Sequence, residues 1–162
     1  MITIAKKSLK VGKYVDNQHV DSVIRTYKQE RWVHNSKRIG KEDSLSAWYS
    51  VEELEEFIAN AKDHGADGIK FYFATYPVEF QEKPEYAGRQ SLVLVATRSR
   101  EAEDGTTVNK DIYVPTGDTP QILAYNLAKI CPPSCGGTFA DSDLGDLGIT
   151  IVDCGEKGMS MI

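Results

Sequence analysis

Three cysteines are the residues in this sequence whose chemistry depends most on how the fold brings them together. Two of them, Cys131 and Cys135, flank the prolines of "CPPSCGG", and the third is Cys154. Each proline favours extended backbone in the residue before it, and Pro133 suits the second position of a β-turn. Such a turn folds Cys135 back towards Cys131, close enough for the two thiols to share a metal ion or to oxidise.

Zinc is one alternative for these cysteines. A structural zinc ion takes four ligands; Cys131, Cys135 and Cys154 offer three, and one of three histidines would have to be the fourth. A redox role is disfavoured, because Cys131 follows a predicted helix and the helix C-terminus raises a thiol pKa. We therefore expect no cofactor, with the cysteines as small buried residues at a turn and zinc as the alternative.

Aromatic side chains form the second group of candidates. The loop 77–90 is long for a hairpin connection, and loops of that length are often functional. It mixes rings with acidic residues, which is typical of a contact surface for a protein partner. The alternative is that these rings pack against the sheet. The candidate binding residues are Trp48, Tyr72, Tyr76, Phe80 and Tyr86.

Other catalytic or ion-binding motifs are incomplete. The acidic stretch "DSDLGDLG" at 141–148 resembles a calcium loop, but Gly145 and Asp146 stand in the wrong order and Val152 replaces the terminal glutamate. The chain has neither a Gly-x-Ser-x-Gly elbow nor a phosphate-binding Gly-Lys-Ser/Thr. We interpret 141–148 as an acidic surface loop.

Periodicity predicts the elements that position these residues. Helical spacing covers 16–35, 50–65 and 119–130, the second with a capping box of Ser50 and Glu53. Alternation predicts strands at 69–76, 91–97, 109–115 and 149–154. The central strands are joined by loops too short for a crossover helix, so they should pair antiparallel. The predicted fold is α+β, an antiparallel sheet of three to five strands covered on one face by two or three helices in two layers.

Length and charge limit the classes of function. The 162 residues suit a single globular domain, 1–162. Net charge is −5, but residues 1–41 hold ten basic and three acidic side chains, whereas the other 121 hold nine and twenty-one. The acidic body disfavours nucleic acid as a partner; we expect the basic segment to lie against acidic residues of the same chain or of a neighbour.

No apolar run approaches the ~18 residues of a membrane span, and an odd cysteine count does not suit a secreted disulfide framework. These features favour a cytoplasmic protein without a membrane segment. The leading hypothesis is a non-enzymatic protein-interaction domain that binds a protein partner or forms a homo-oligomer. The alternatives are the zinc-supported domain and a small enzyme whose site is assembled from distant residues.

Overall fold

Antiparallel strands and three α-helices make up the fold, seen here in a computed structural model that describes residues 10–135 and the backbone of two short segments near the C-terminus. Every strand pair in this described part is antiparallel, which confirms the predicted mixed α+β class. The strands are β1 Ser46–Trp48, β2 Gly68–Thr75, β3 Gln90–Glu101, β4 Thr107–Asp111, β5 Tyr113–Thr116, β6 Thr119–Ile122, β7 Ala124–Tyr125, β8 Lys129–Cys131, β9 Ile151–Asp153 and β10 Met159–Met161.

The N-terminal helical segment is longer than predicted. It consists of α1 (Asn17–Tyr27), a π-helical turn (Lys28–Trp32) and α2 (Val33–Ile39). The Asp16 side chain caps the start by accepting from the backbone N–H of His19 at 2.9 Å. Gly40 ends the segment with φ +72°, a left-handed conformation that glycine adopts without strain.

Two hydrogen bonds fasten this segment to the body of the fold. The Tyr27 hydroxyl donates to Gln90 Oε1 at 2.6 Å, and the Trp32 indole N–H donates to the backbone oxygen of Asp43 at 2.8 Å. Asp43 is itself buried, and its Oδ1 accepts from the backbone N–H groups of Ser44 and Gln90. The helical segment is thus tied to the start of β3 through Gln90 and to the buried Asp43 through its backbone oxygen.

Helix α3 (Val51–Asp63) has the capping box that its sequence predicts. Ser50 Oγ accepts from the Glu53 backbone N–H at 3.1 Å, and Glu53 Oε2 accepts from the Ser50 N–H at 3.3 Å. The helix buries Phe57 and Ala61 against the sheet, with Leu54 packed beside them, whereas Val51 and Ile58 stay exposed. Only one side of the helix therefore contributes to the core.

The main sheet has the order β2-β3-β4, with β7 also paired to β3. Leu94 and Ala96 of β3 are fully buried beneath α3, and Leu123 and Tyr125 pack around them. A second cluster lies under the loop after β2 and contains Tyr76, Tyr86, Ala128 and Ile130. The cysteine turn adjoins this second cluster.

The predicted helix at 119–130 is wrong: the segment forms β6, β7 and β8. Thr119 and Pro120 read as a helix start, but they belong to a hairpin in which Thr116 pairs with Thr119. The connecting turn is Gly117-Asp118, with φ +62° at Gly117, and a two-residue turn of this kind joins antiparallel strands. Leu123 and Ile130 are indeed partly or fully buried, but in different clusters.

The predicted strand at 109–115 is divided. It ends as β4 at Asp111 and resumes as β5 at Tyr113. Between them the Ile112 N–H donates to Ala96 O, while Ile112 O accepts from Leu123. Ile112 therefore joins β3 to the β6–β7 segment, and the chain bends there.

No helix in the described residues is long and apolar enough to cross a membrane.

Candidate functional site

The cysteine turn closes as a disulfide. Cys131 and Cys135 are bonded, with their Cα atoms 4.7 Å apart, at the end of β8. Cys131 is buried, lies opposite Ser46 of β1, and accepts from the Leu45 N–H through its backbone oxygen at 2.7 Å. The predicted approach of the two sulfurs is confirmed. Cys131 is buried, as expected of a cysteine at this turn, but it is bonded to Cys135, so the turn does not hold two free thiols.

The oxidised pair bears directly on the zinc alternative. Zinc binds thiolates, so Cys131 and Cys135 could serve as ligands only after reduction of their bond. Cys154 lies outside the described residues, as does the acidic loop 141–148. Among the residues described, no three His, Cys, Asp or Glu side chains gather as a metal-binding group. The zinc-supported domain stays a prediction.

Three of the five candidate aromatic residues pack against one another. Tyr76 stacks on Phe80 with ring centres 4.6 Å apart and tilts against Tyr86 at 5.7 Å. Tyr76 and Tyr86 are buried, and the Tyr76 hydroxyl accepts from Ser91 Oγ at 3.2 Å. These rings form the second core cluster, as the packing alternative expected.

Trp48, in contrast, is 60% exposed. It stands opposite Lys129 in the β1–β8 pair, and Lys129 Nζ lies 6.0 Å from the centre of its ring. Trp48 shares a cavity of about 390 Å³ with Tyr86, so these two of the five candidates line one site. The other residues lining the cavity are Tyr49, Glu53, Lys83, Leu127, Lys129 and Ser134.

The carboxylate in this cavity is already hydrogen-bonded. Glu53 accepts from the Tyr125 hydroxyl at 2.5 Å and from the Ser50 backbone N–H. Chiefly the Tyr125 bond, and then the Ser50 bonds, lower the pKa of Glu53 below its ordinary value. The same hydrogen bond raises the pKa of Tyr125. Glu53 therefore carries its charge at neutral pH with partners of its own.

Tyr72 lies elsewhere, on β2. Its hydroxyl donates to Asp111 Oδ2 at 2.7 Å, and Lys70 Nζ donates to Asp111 Oδ1 at 2.8 Å. The hydrogen bond to Asp111 raises the pKa of Lys70, and the bond from Lys70 lowers that of Asp111. These three side chains join β2 to β4. Lys70 is the one charged residue of β2, and Asp111 is its ion-pair partner.

The outer edge of β2 is the least expected feature of the structure. Among the described strands, β2 pairs with β3 alone along its whole length. On the face that also carries Ile69, Phe71 is 53% and Phe73 is 84% exposed. The alternation of these residues predicts that they share one face of the strand, but Phe71 and Phe73 lie outside the core cluster that α3 forms with β3.

Backbone groups of the same residues also face outward. The Tyr76 N–H donates to Arg89 O at 3.0 Å, continuing the ladder between β2 and β3. Inward-bonding residues alternate with outward-facing ones in an antiparallel ladder. Even-numbered residues of β2 therefore bond to β3, and the N–H and C=O groups of Phe71 and Phe73 point away from the sheet.

Comparison with protein families, with curated proteins and with solved structures found no match.

Proposed function

We propose that this protein is a self-associating interaction domain in which the outer edge of β2 pairs antiparallel with β2 of a second copy. The observation that carries the proposal is the coincidence, in one strand, of outward-facing backbone groups and two exposed phenylalanine rings. Backbone hydrogen bonds supply affinity in strand addition, and the side chains on alternate positions select the partner.

The register of such a pair follows from the strand itself. A twofold axis through Tyr72 places Phe71 of one copy opposite Phe73 of the other, and the reverse. Both residues present outward-facing N–H and C=O groups, so each pair exchanges two hydrogen bonds. The same register sets aromatic rings directly opposite one another, a cross-strand pairing that stabilises sheets. Lys70 then faces Ala74 of the second copy, so no like charges meet.

The edge also lacks the features that usually prevent pairing. Exposed edges are commonly protected by unpaired lysines, prolines, bulges or short length. β2 has eight residues, "GIKFYFAT", without proline and with an unbroken register to β3. Its only charge, Lys70, is engaged by Asp111. A single proline or unpaired charge would protect this edge. The absence of such a residue supports a paired edge.

A second copy fits this edge better than an unrelated partner. A twofold interface requires one patch to complement itself, and the Phe71–Phe73 register meets that requirement with the same two residues. No charge on the partner is needed, because the one charge of the strand, Lys70, is already paired with Asp111. We therefore expect the interface to consist of aromatic side chains and backbone hydrogen bonds.

Light scattering coupled to size exclusion tests the proposal. We expect a mass approaching twice the 18.0 kDa of one chain at high protein concentration, and a monomer for Phe73→Lys. Phe71→Pro should also be a monomer, since it removes an outward N–H that the fold does not use. Val78→Lys is the matched control: Val78 is 83% exposed but lies outside the strand, and its mass should equal that of the wild type.

Two results would contradict the proposal. One is a wild-type monomer at every concentration; the other is a dimer that survives both β2 variants. Circular dichroism of each variant checks that the fold is kept, and Phe73→Lys retains the test should Phe71→Pro fail to fold.

We also propose a cytoplasmic location, which the odd cysteine count favours. Persistent disulfides are typical of oxidising compartments, so the Cys131–Cys135 bond opposes that location. Alkylation of free thiols in intact cells before lysis decides it. Reduced Cys131 and Cys135 support the cytoplasm, and a protected pair contradicts it.

A further inference from the structure

We infer that the cavity beside Trp48 binds a small aromatic anion, meaning a flat ring that carries a carboxylate or phosphate group. This inference is independent of pairing at β2. The cavity holds about 390 Å³ and lies between the β1–β8 pair, the start of α3 and the cysteine turn. Its size suits a single substituted ring.

Trp48 supplies a surface for stacking. Its side chain is 60% exposed, whereas Trp32, the other tryptophan, is buried and donates its indole N–H to Asp43. Tryptophan offers a large apolar face and a polar N–H, and offset stacking on another ring is favourable. A ligand ring would cover the face that Lys129 now approaches.

Two lysines supply the positive charge. Lys83 Nζ lies 4.9 Å from the centre of the Tyr86 ring, and Lys129 Nζ lies 6.0 Å from that of Trp48. Neither ammonium forms an ion pair with a carboxylate of the described residues. The one carboxylate in the lining, Glu53, already accepts from Tyr125 and Ser50. The two ammonium groups are thus available to an anion.

The backbone of this cavity is strained at one position. Leu127 has φ +70°, the one positive φ of a non-glycine residue within the described part of the chain. Such conformations cost free energy and concentrate at binding and catalytic sites. Ser134, inside the disulfide ring, adds a hydroxyl that lies 3.3 Å from the Tyr86 hydroxyl. The cysteine turn therefore forms one wall of the site.

The ligand that these residues fit has both a ring and a charge. A ring alone would stack on Trp48 but leave the lysines unused, and an anion alone would lose the stacking contact. A carboxylate and a phosphate both accept from lysine, so the inference covers both groups. The probes below separate them.

Isothermal titration of the intact protein tests the inference with four probes. Phenyl phosphate and benzoate carry ring and charge; phenol lacks the charge, and inorganic phosphate lacks the ring. We expect saturable binding of phenyl phosphate or benzoate, with phenol and inorganic phosphate at least about tenfold weaker. The tighter of the two anions identifies the charged group.

Variants locate the binding. Lys129→Gln and Trp48→Leu should each weaken binding of the better anion by about tenfold, and Lys83→Gln by a similar factor. Lys110→Gln, which removes an exposed lysine on β4, should leave it within about twofold.

The inference is overturned by any of three results. The first is no saturable binding of either aromatic anion below ~10 mM. The second is phenol binding as tightly as the anions. The third is equal binding by Lys110→Gln and Lys129→Gln, both checked for folding by circular dichroism.

Discussion

Cys131 and Cys135 close one of the smallest rings that a disulfide can form, with a sequence separation of 4. A loop of this length restricts the unfolded chain modestly, and the chain-entropy relation gives about 2 kcal/mol. We expect Cys135→Ser to lower the free energy of unfolding by about that amount in chemical denaturation. Equal stability of oxidised and reduced wild-type protein would contradict this role.

Two tyrosines give the fold a dependence on alkaline pH. Burial, followed by the Asp43 charge, raises the pKa of Tyr27 to about 12, and burial likewise raises that of Tyr49 to about 12. Because the folded state holds these protons more tightly than the unfolded state, the stability they contribute is complete below pH 10. It is lost as pH rises from 10 towards 12.

Urea unfolding at a series of pH values between 9 and 12 measures this loss, the window being set by the ordinary and raised pKa values. Tyr27→Phe should reduce the slope of stability against pH, since one of the tyrosines with a raised pKa no longer titrates. Tyr14→Phe, at a fully exposed position, should retain the wild-type slope. A Tyr27→Phe variant with an unchanged slope would show that Tyr27 does not contribute.

At the scale of elements, the capping box of α3 is the clearest local signal. Ser50→Ala removes the acceptor for the Glu53 N–H and should cost about 1 kcal/mol of unfolding free energy in thermal or urea denaturation. Ser22→Ala, at an exposed position inside α1, should be neutral or slightly stabilising, because alanine favours helix. Equal effects of the two substitutions would rule out the cap as the cause.

Elements with a complete local signal were predictable from sequence. The Ser50 and Glu53 cap and the change of period after Gly65 are local, and α3, β2 and β3 lie near their predicted bounds. The segment 119–130 has an equally good helical spacing, but its structure depends on strand pairing with residues that are distant in sequence. Trp48 with Lys129, and Leu94 with Tyr125, pair across such distances. No local sequence pattern indicates these long-range pairs.

The candidate site was predictable to a smaller extent. Cys131 and Cys135 were recognised as near neighbours, because a proline turn brings them together within four residues. Trp48 was recognised, but its neighbours Lys83 and Lys129 come from distant strands and loops. Alternation at Phe71 and Phe73 shows which face of the strand each ring takes. It does not show whether a helix packs over that ring.

For the whole molecule, salt distinguishes two ways in which copies could associate. The basic segment 1–41 of one copy would attract the acidic remainder of another. Added salt would weaken that attraction, because the Debye length falls to ~3 Å at 1 M. Pairing at β2 is aromatic and main-chain, so it should persist. We expect the dimer fraction in light scattering to stay constant or rise between low salt and about 1 M NaCl.

Dissociation at high salt would contradict pairing at β2 and favour contact between the oppositely charged regions. Phe73→Lys provides the control in the same series, since it should be monomeric at both salt concentrations.

The most direct test of β2 pairing is amide hydrogen exchange, residue by residue, as a function of protein concentration. In a single copy the N–H groups of Phe71 and Phe73 face solvent, whereas that of Tyr72 bonds to β3. We therefore predict that exchange at Phe71 and Phe73 slows as concentration rises, while Tyr72 is protected at every concentration. Fast exchange at Phe71 and Phe73 that does not change with concentration would contradict the account.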